Sequence, residues 1–178
     1  GIQIVKNVHS NLKLSKILTR KAFENAIKVN AAIGGSTNAI VHLLAIAKRI
    51  GVKLKIEDFD ILIKKVPFIV NLKPSGDYLM EDFCYAGGLP VVIKEIMSHL
   101  HKNVITITGK SISENVKNAK NYNTKVIKSA KKPIGIGGTV VLKGNLAPDG
   151  AVLKTSAATP KLSTNISKNF LAKYGLES

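Results

Sequence analysis

The hydrophobic period of this chain changes once, and that change limits its architecture more than any other feature. Up to about residue 120, apolar residues recur every three to four positions, the spacing of helices with one buried face. From Pro133 onward, "GIGGTVVLKGNLAPDGAVLKTSA" consists of short alternating apolar runs punctuated by glycine, the pattern of small β structure. Between them, "NYNTKVIKSAKKP" is polar and Lys-rich and reads as a linker. A β pattern that starts this late in 178 residues does not run long enough to close a sheet or barrel. The chain opens on Gly1 rather than Met, without a basic-apolar signal segment. The expectation is a piece of a longer polypeptide, α/β in class.

The helical part carries readable punctuation. "GIQIVKNVHSNL" places Ile4, Val8 and Leu12 on one face, and Ser15 and Thr19 are N-cap candidates. Phe23, Ala26, Ile27 and Asn30 form a stripe that Gly34-Gly35 ends. Ser36 or Thr37 is placed to cap the next helix, with Ile40, Leu43, Leu44 and Ala47 as its buried side. Arg49 lies in its last turn and Gly51 just past its end. Glu57-Asp58 opens a short helix stopped by Pro67. Gly87-Gly88 separates two more, with Pro90 in the first turn of the second. "VKLKI" and "NVITITG" read as strands, and Ser111 with Glu114 has the spacing of a capping box.

Charge and cysteine content narrow the function classes. The net charge of +16 invites a nucleic-acid reading, but its distribution argues against one. Residues 1–110 hold 16 Lys/Arg against 8 Asp/Glu, and residues 111–178 hold 11 against 3, with no block of five like charges. Arginine, the side chain best shaped to read bases and phosphates, occurs only at Arg20 and Arg49. No apolar run reaches membrane-spanning length, so the chain reads as soluble and as compatible with the cytoplasm. A single cysteine, Cys84, excludes an internal disulfide and any multi-cysteine metal site built from this chain alone.

Few stretches look like chemistry. "IGGSTNAI" is the best local candidate: two glycines, Ser36, Thr37 and Asn38 at a helix N-terminus present free N–H groups to an anion such as a carboxylate or phosphate. The competing reading is an ordinary capped turn between helices. "TGKS", Thr108 to Ser111, lacks the earlier glycine of a phosphate loop, since Val104 stands there. Glu81 and Asp82 are neighbours on a helix and diverge by about 100°, so they do not jointly hold an ion; Asp77 reads as helix-start electrostatics. His9, His42, His99 and His101 show no ligand spacing. His42 reads as a hydrogen-bonded packing residue and Cys84 as a small buried hydrophobe.

Four ordered blocks carry a resemblance more specific than any motif. "LTRKAFENAIKVNAAIGGSTNAIVHLLAIAKRIGV", "LKPSGDYLMEDFCYAGGLPVVIKE", "ITITGKSISENV" and "GGTVVLKGNLAPDGAVLKTSAATPKL" resemble the middle of the dihydroxy-acid and phosphogluconate dehydratase family, over roughly residues 1–162. Within it, "YLMEDFCYAGGLPVVIKE" and "KTSAATPKL" are closer to sugar-acid dehydratases of the arabinonate and xylonate type than to the branched-chain amino acid enzyme.

The resemblance implies a hydro-lyase that takes water from a 2,3-dihydroxy acid to give a 2-keto acid. It implies an iron–sulfur cluster as Lewis acid on the C3 hydroxyl, Mg²⁺ at the carboxylate end, and a base for the C2 proton, two metal centres helping a poor leaving group and a weak carbon acid. The family's cluster cysteines, Mg²⁺ ligands and base serine belong to motifs outside these blocks. No catalytic residue and no metal ligand is therefore carried onto this chain, and the fragment is expected to be inactive alone. Ser36, Thr37 and Asn38 remain as candidate substrate contacts. The implied layout is the C-terminal part of an N-terminal α/β domain at 1–120, a linker at 121–132, and from 133 the first strands of a β-barrel-like (swivelling) domain, with Pro-Asp-Gly making corners. A divergent tail occupies 163–178. The implied partners are a small hydroxy-acid substrate, the remainder of the parent chain and, for the full-length enzyme, further copies of itself. The alternative expectation is a small basic binding protein for RNA or anionic metabolites.

Overall fold

Local side-chain chemistry sets where the helices begin. A computed structural model describes residues 1–154; Thr155–Ala157 of the last β-patterned stretch and the tail from Ser163 lie outside the described residues. The helices are α1 (Ile2–His9), α2 (Leu14–Ile17), α3 (Arg20–Ala32), α4 (Asn38–Arg49), α5 (Ile56–Ile63), α6 (Met80–Tyr85), α7 (Gly88–Glu95), followed by a 3-10 turn (Met97–His99), and α8 (Ile112–Val116). The Thr19 hydroxyl accepts from the Ala22 N–H at the start of α3, the cap expected there. Ser111 and Glu114 close the start of α8 reciprocally. Asp58 and Asp82 do half of that task for α5 and α6, accepting from the N–H groups of Lys55 and Leu79 at 2.7 and 2.8 Å. At the other end of α4, Gly51 has φ +75°, and the N–H groups of Gly51 and Val52 return to Lys48 and Ala47. That double return is a Schellman stop, and it needs the glycine.

The core forms where α3, α4, α5 and α7 meet the strand-like segment 66–70. Ile27, Ala31, Ile40, Phe59, Ile63, Ile69, Val70, Val92 and Ile96 belong to one buried cluster, each large aliphatic contributing about 1.5–3 kcal/mol on burial. Among the described residues, four strands make two small antiparallel sheets: β1 (Pro67–Phe68) pairs with β2 (Gly135–Ile136), and β3 (Val140–Gly144) pairs with β4 (Ala147–Leu153). The β3–β4 hairpin lies against α5: the Val141 N–H donates to Asp60, and Lys143 pairs with Glu57. The result is a mixed helix and sheet chain, in keeping with the α/β class. No helix among the described residues is long and apolar enough to cross a membrane.

Several expectations need correction. "VKLKI" and "NVITITG" are not strands, because among the described residues neither completes a ladder; Ile105 makes an isolated bridge to Ser111. The second is instead a tight turn: the Thr106 N–H donates to Lys110 O and the Gly109 N–H to Thr106 O, while Asn115 ties in Thr106 and Thr108. Ser15 lies inside α2, whose N-cap is Lys13. The Ile4–Val8 face of α1 is exposed, because the helix buries Asn7, drawn in by the carbonyl of Ile107. Pro148-Asp149-Gly150 is not a corner between strands. It sits within β4 as a bulge, where proline lacks a ladder N–H and Gly150 takes φ +100°; the connecting turn is Asn145-Leu146. Within 121–132, Val126 and Ile127 are fully buried, and main-chain bonds from Asn71 N to Val126 O and from Lys128 N to Ile69 O bind the segment to the core.

Candidate functional site

The turn that ends α3 is built from two glycines set tightly against their neighbours. Gly34 has φ +60°, and a Cβ there would meet the Phe68 ring at 2.6 Å. A Cβ on Gly35 would meet Asn30 Oδ1 at 2.1 Å, and one on Gly138 would meet the Gly34 Cα at 3.2 Å. Close packing beneath Phe68 and Gly138 swings the chain so that Ser36 and Thr37 follow at the start of α4. The Ser36 hydroxyl accepts from the Asn38 N–H at 3.2 Å, a local closure of the helix start.

Opposite this turn runs a loop of fixed shape. Asn71 and Asp77 exchange two hydrogen bonds, at 3.1 and 3.0 Å, across residues 72–76. Asp77 therefore braces this loop rather than opening α6, the role that falls to Asp82. Between turn and loop lies a cleft of ≈ 430 Å³ whose walls include Gly34 to Thr37, Leu72 to Ser75, Phe68 and Phe83. Lys73 lines it from the loop, and Lys154, just past the end of β4, lines it too. Neither lysine makes an ion pair among the described residues. Two ammonium groups, the hydroxyls of Ser36, Thr37 and Ser75, and a helix N-terminus beside an aromatic surface make a site suited to a small anion carrying hydroxyl groups.

The expected candidates divide. Ser36 and Thr37 line the cleft, whereas Asn38 is exposed and does not. Lys73, Ser75 and Lys154 were not legible as site residues, because nothing in their local sequence marks them and the fold alone gathers them. His42 and Cys84 are exposed, not packed in the core, since α4 and α6 turn those positions outward. Among the described residues, no three His, Cys, Asp or Glu side chains are grouped so as to hold a metal ion. The described residues do not form a ligand set for an iron–sulfur cluster or Mg²⁺.

Comparison with known proteins gives a consistent result. The family model described as dihydroxy-acid/6-phosphogluconate dehydratase N-terminal matches residues 1–115, and the C-terminal model of the same family matches residues 125–170. An L-arabinonate dehydratase of Rhizobium leguminosarum bv. trifolii is 56% identical over 165 residues, covering 91% of this chain and 28% of the relative. An L-arabonate dehydratase of Azospirillum brasilense is 53% identical with the same coverage, and a dihydroxy-acid dehydratase of Ignicoccus hospitalis is 47% identical, covering 91% of this chain and 30% of the relative. The chain thus spans under a third of the length of the curated relatives it matches. Two family models in the family's order, spanning both the helical and the β-patterned parts, leave one assignment: the chain belongs to the dihydroxy-acid/6-phosphogluconate dehydratase family.

Proposed function

We propose that this chain is an internal part of a hydro-lyase that converts a 2,3-dihydroxy acid, in the first instance a sugar acid, to a 2-keto acid. The observation that carries this reading is the 56% identity to an L-arabinonate dehydratase over nearly the whole chain. Relatives named dihydroxy-acid dehydratase match at 44–47%, which favours the sugar-acid branch. In this reading the cleft between Gly34–Thr37 and Leu72–Ser75 receives the acid. Lys73 and Lys154 attract its carboxylate, and the hydroxyls of Ser36 and Thr37 orient its polar end. Binding and orientation are what these residues supply. An iron–sulfur cluster and Mg²⁺ would supply Lewis-acid chemistry, on ligands from the remainder of the family polypeptide.

The domain layout belongs to the same proposal: residues 1–120 complete an α/β unit, and residues from 133 begin a β-barrel-like unit beyond a connection at 121–132. The gap between the two family models, 116–124, overlaps the start of that connection. A cytoplasmic, homo-oligomeric full-length enzyme accompanies this reading.

The test is turnover of a full-length polypeptide containing this stretch, with L-arabinonate and a branched-chain 2,3-dihydroxy acid as competing substrates. The sugar acid is expected to give 2-keto acid at the higher kcat/KM. Replacing Ser36 and Thr37 together by Ala, or Lys73 by Met, is expected to raise KM about tenfold, the mark of lost binding. No 2-keto acid from either substrate would refute the activity, and unchanged KM and kcat in both variants would remove the cleft from it. The isolated 178-residue chain is expected to carry neither stoichiometric iron and sulfide nor turnover.

A further inference from the structure

A second cleft, of ≈ 600 Å³, opens on another part of the molecule between α3, α4, α7 and the turn at 104–107. Its lining is apolar almost throughout and includes Val29, Ile33, Leu43, Leu89, Ile93 and Ile107. Leu89 is 45% exposed and Ile107 58%. Helix α1 is tied to this turn through Gln3 and Asn7, both bonded to the Ile107 carbonyl, and its Ile4 and Val8 are exposed. Uncovered aliphatic surface of this extent marks an interaction site.

The neighbouring surface says what kind of occupant fits. Val104 and Ile105 line both this groove and an adjoining cleft of ≈ 470 Å³ that contains Lys16, Lys21, His101 and Lys102, with Thr19 at the N-terminus of α3. Among the described residues no carboxylate lines that basic cleft. The nearby Glu24 is already bonded to Arg20 and His101, and none of the three lysines makes an ion pair among the described residues. An apolar trough continuing into a basic one complements a segment whose apolar residues are followed by carboxylates. A second copy of this chain is a poor match, because at +16 it would bring lysines against lysines. The relatives supply another source, since more than two thirds of their length lies outside the stretch matched here.

We infer that the joined groove seats an apolar, acid-flanked segment of the family polypeptide, from the part of the relatives' sequence outside the matched stretch. This rests on family membership and not on the proposed substrate. The experiment measures binding, so a failure of the dehydratase reading would leave its result intact.

Peptides tiling the Rhizobium leguminosarum relative outside the matched stretch are titrated against the 178-residue chain by fluorescence anisotropy. One contiguous apolar stretch with adjoining carboxylates is expected to bind, more weakly as salt rises. Exposed positions are altered so that folding is spared, with circular dichroism as the check. Ile107→Asp is expected to weaken binding about tenfold, and Lys21→Glu with Lys102→Glu to do the same. Binding by no peptide, binding only by basic or uncharged peptides, or affinities unchanged in both variants would overturn the inference. So would a dimer of the chain that Ile107→Asp dissociates.

Discussion

Asn25 and His101, 76 positions apart, are locked by a closed pair of hydrogen bonds: Asn25 Nδ2 donates to the His101 carbonyl at 3.1 Å, and the His101 N–H donates back to Asn25 Oδ1 at 2.8 Å. The amide thus stands in for a strand partner, satisfying both main-chain groups of His101 from within α3 at 4% exposure. Asn25→Ala strands the His101 N–H, while the carbonyl keeps the Val104 N–H at 3.2 Å, and is expected to cost about 1–3 kcal/mol. Urea unfolding of the variant measures this, and a loss below about 0.5 kcal/mol would mean that water replaces the amide freely.

Acid should weaken the cluster next to it. Arg20 bonds Glu24 at 2.8 Å and Asp58 at 2.9 Å, and Glu24 also bonds His101 at 2.6 Å. The Arg20 hydrogen bond holds the Asp58 carboxyl below its usual range. Burial pushes the Glu24 carboxyl up, but the bonds from Arg20 and His101 outweigh it and the net direction is down. A carboxylate depressed in the folded state contributes stability above its unfolded pKa and loses it as pH falls through the folded one. Stability is therefore expected to decline below about pH 4. Arg20→Met should be about 1 kcal/mol less stable at pH 7 and show a shallower acid decline. Parallel acid profiles for the two proteins would contradict this.

The two glycines of the candidate site should respond unequally. Gly34→Ala combines a positive φ with a ring contact at 2.6 Å and is expected to cost about 2–3 kcal/mol. Gly35→Ala meets the movable end of Asn30 first and should cost about 1 kcal/mol less. Thermal unfolding of the pair decides it: equal losses would mean that Phe68 yields as readily as Asn30.

The segment that looked like a linker should behave as core. Ile127→Ala is expected to cost about 2–5 kcal/mol. Lys125→Ala, two residues away on the exposed surface, should change stability by less than about 0.5 kcal/mol. Similar small effects at both positions would show that 121–132 packs loosely.

What could be read from the residues alone is what local chemistry decides. Thr19, Ser111 with Glu114, and Gly51 each act within a few positions, so their roles were visible in advance. Strands were not, because "NVITITG" carries the right residues but pairs through a single bridge, Ile105 with Ser111, while Pro67-Phe68 is too short to announce itself and exists by pairing with Gly135-Ile136. Burial also misled at Ile4 and Val8, where a carbonyl at Ile107 decides which face of α1 turns inward. At the site, Ser36 and Thr37 were visible from their glycines and helix start. Lys73 and Lys154 were not, because 81 residues separate them and only packing brings them to one cleft.

The pairing of 66–71 with 126–137 also bears on synthesis. Ile69 and Val70 are completely buried in the finished molecule, and the main chain that covers them arrives more than fifty residues later, at Val126–Lys128. A nascent chain on the ribosome, growing by about 5–20 residues each second, holds that apolar strip open for several seconds. The interval is one in which chaperones would find it, and slower translation between codons 72 and 126 would lengthen it.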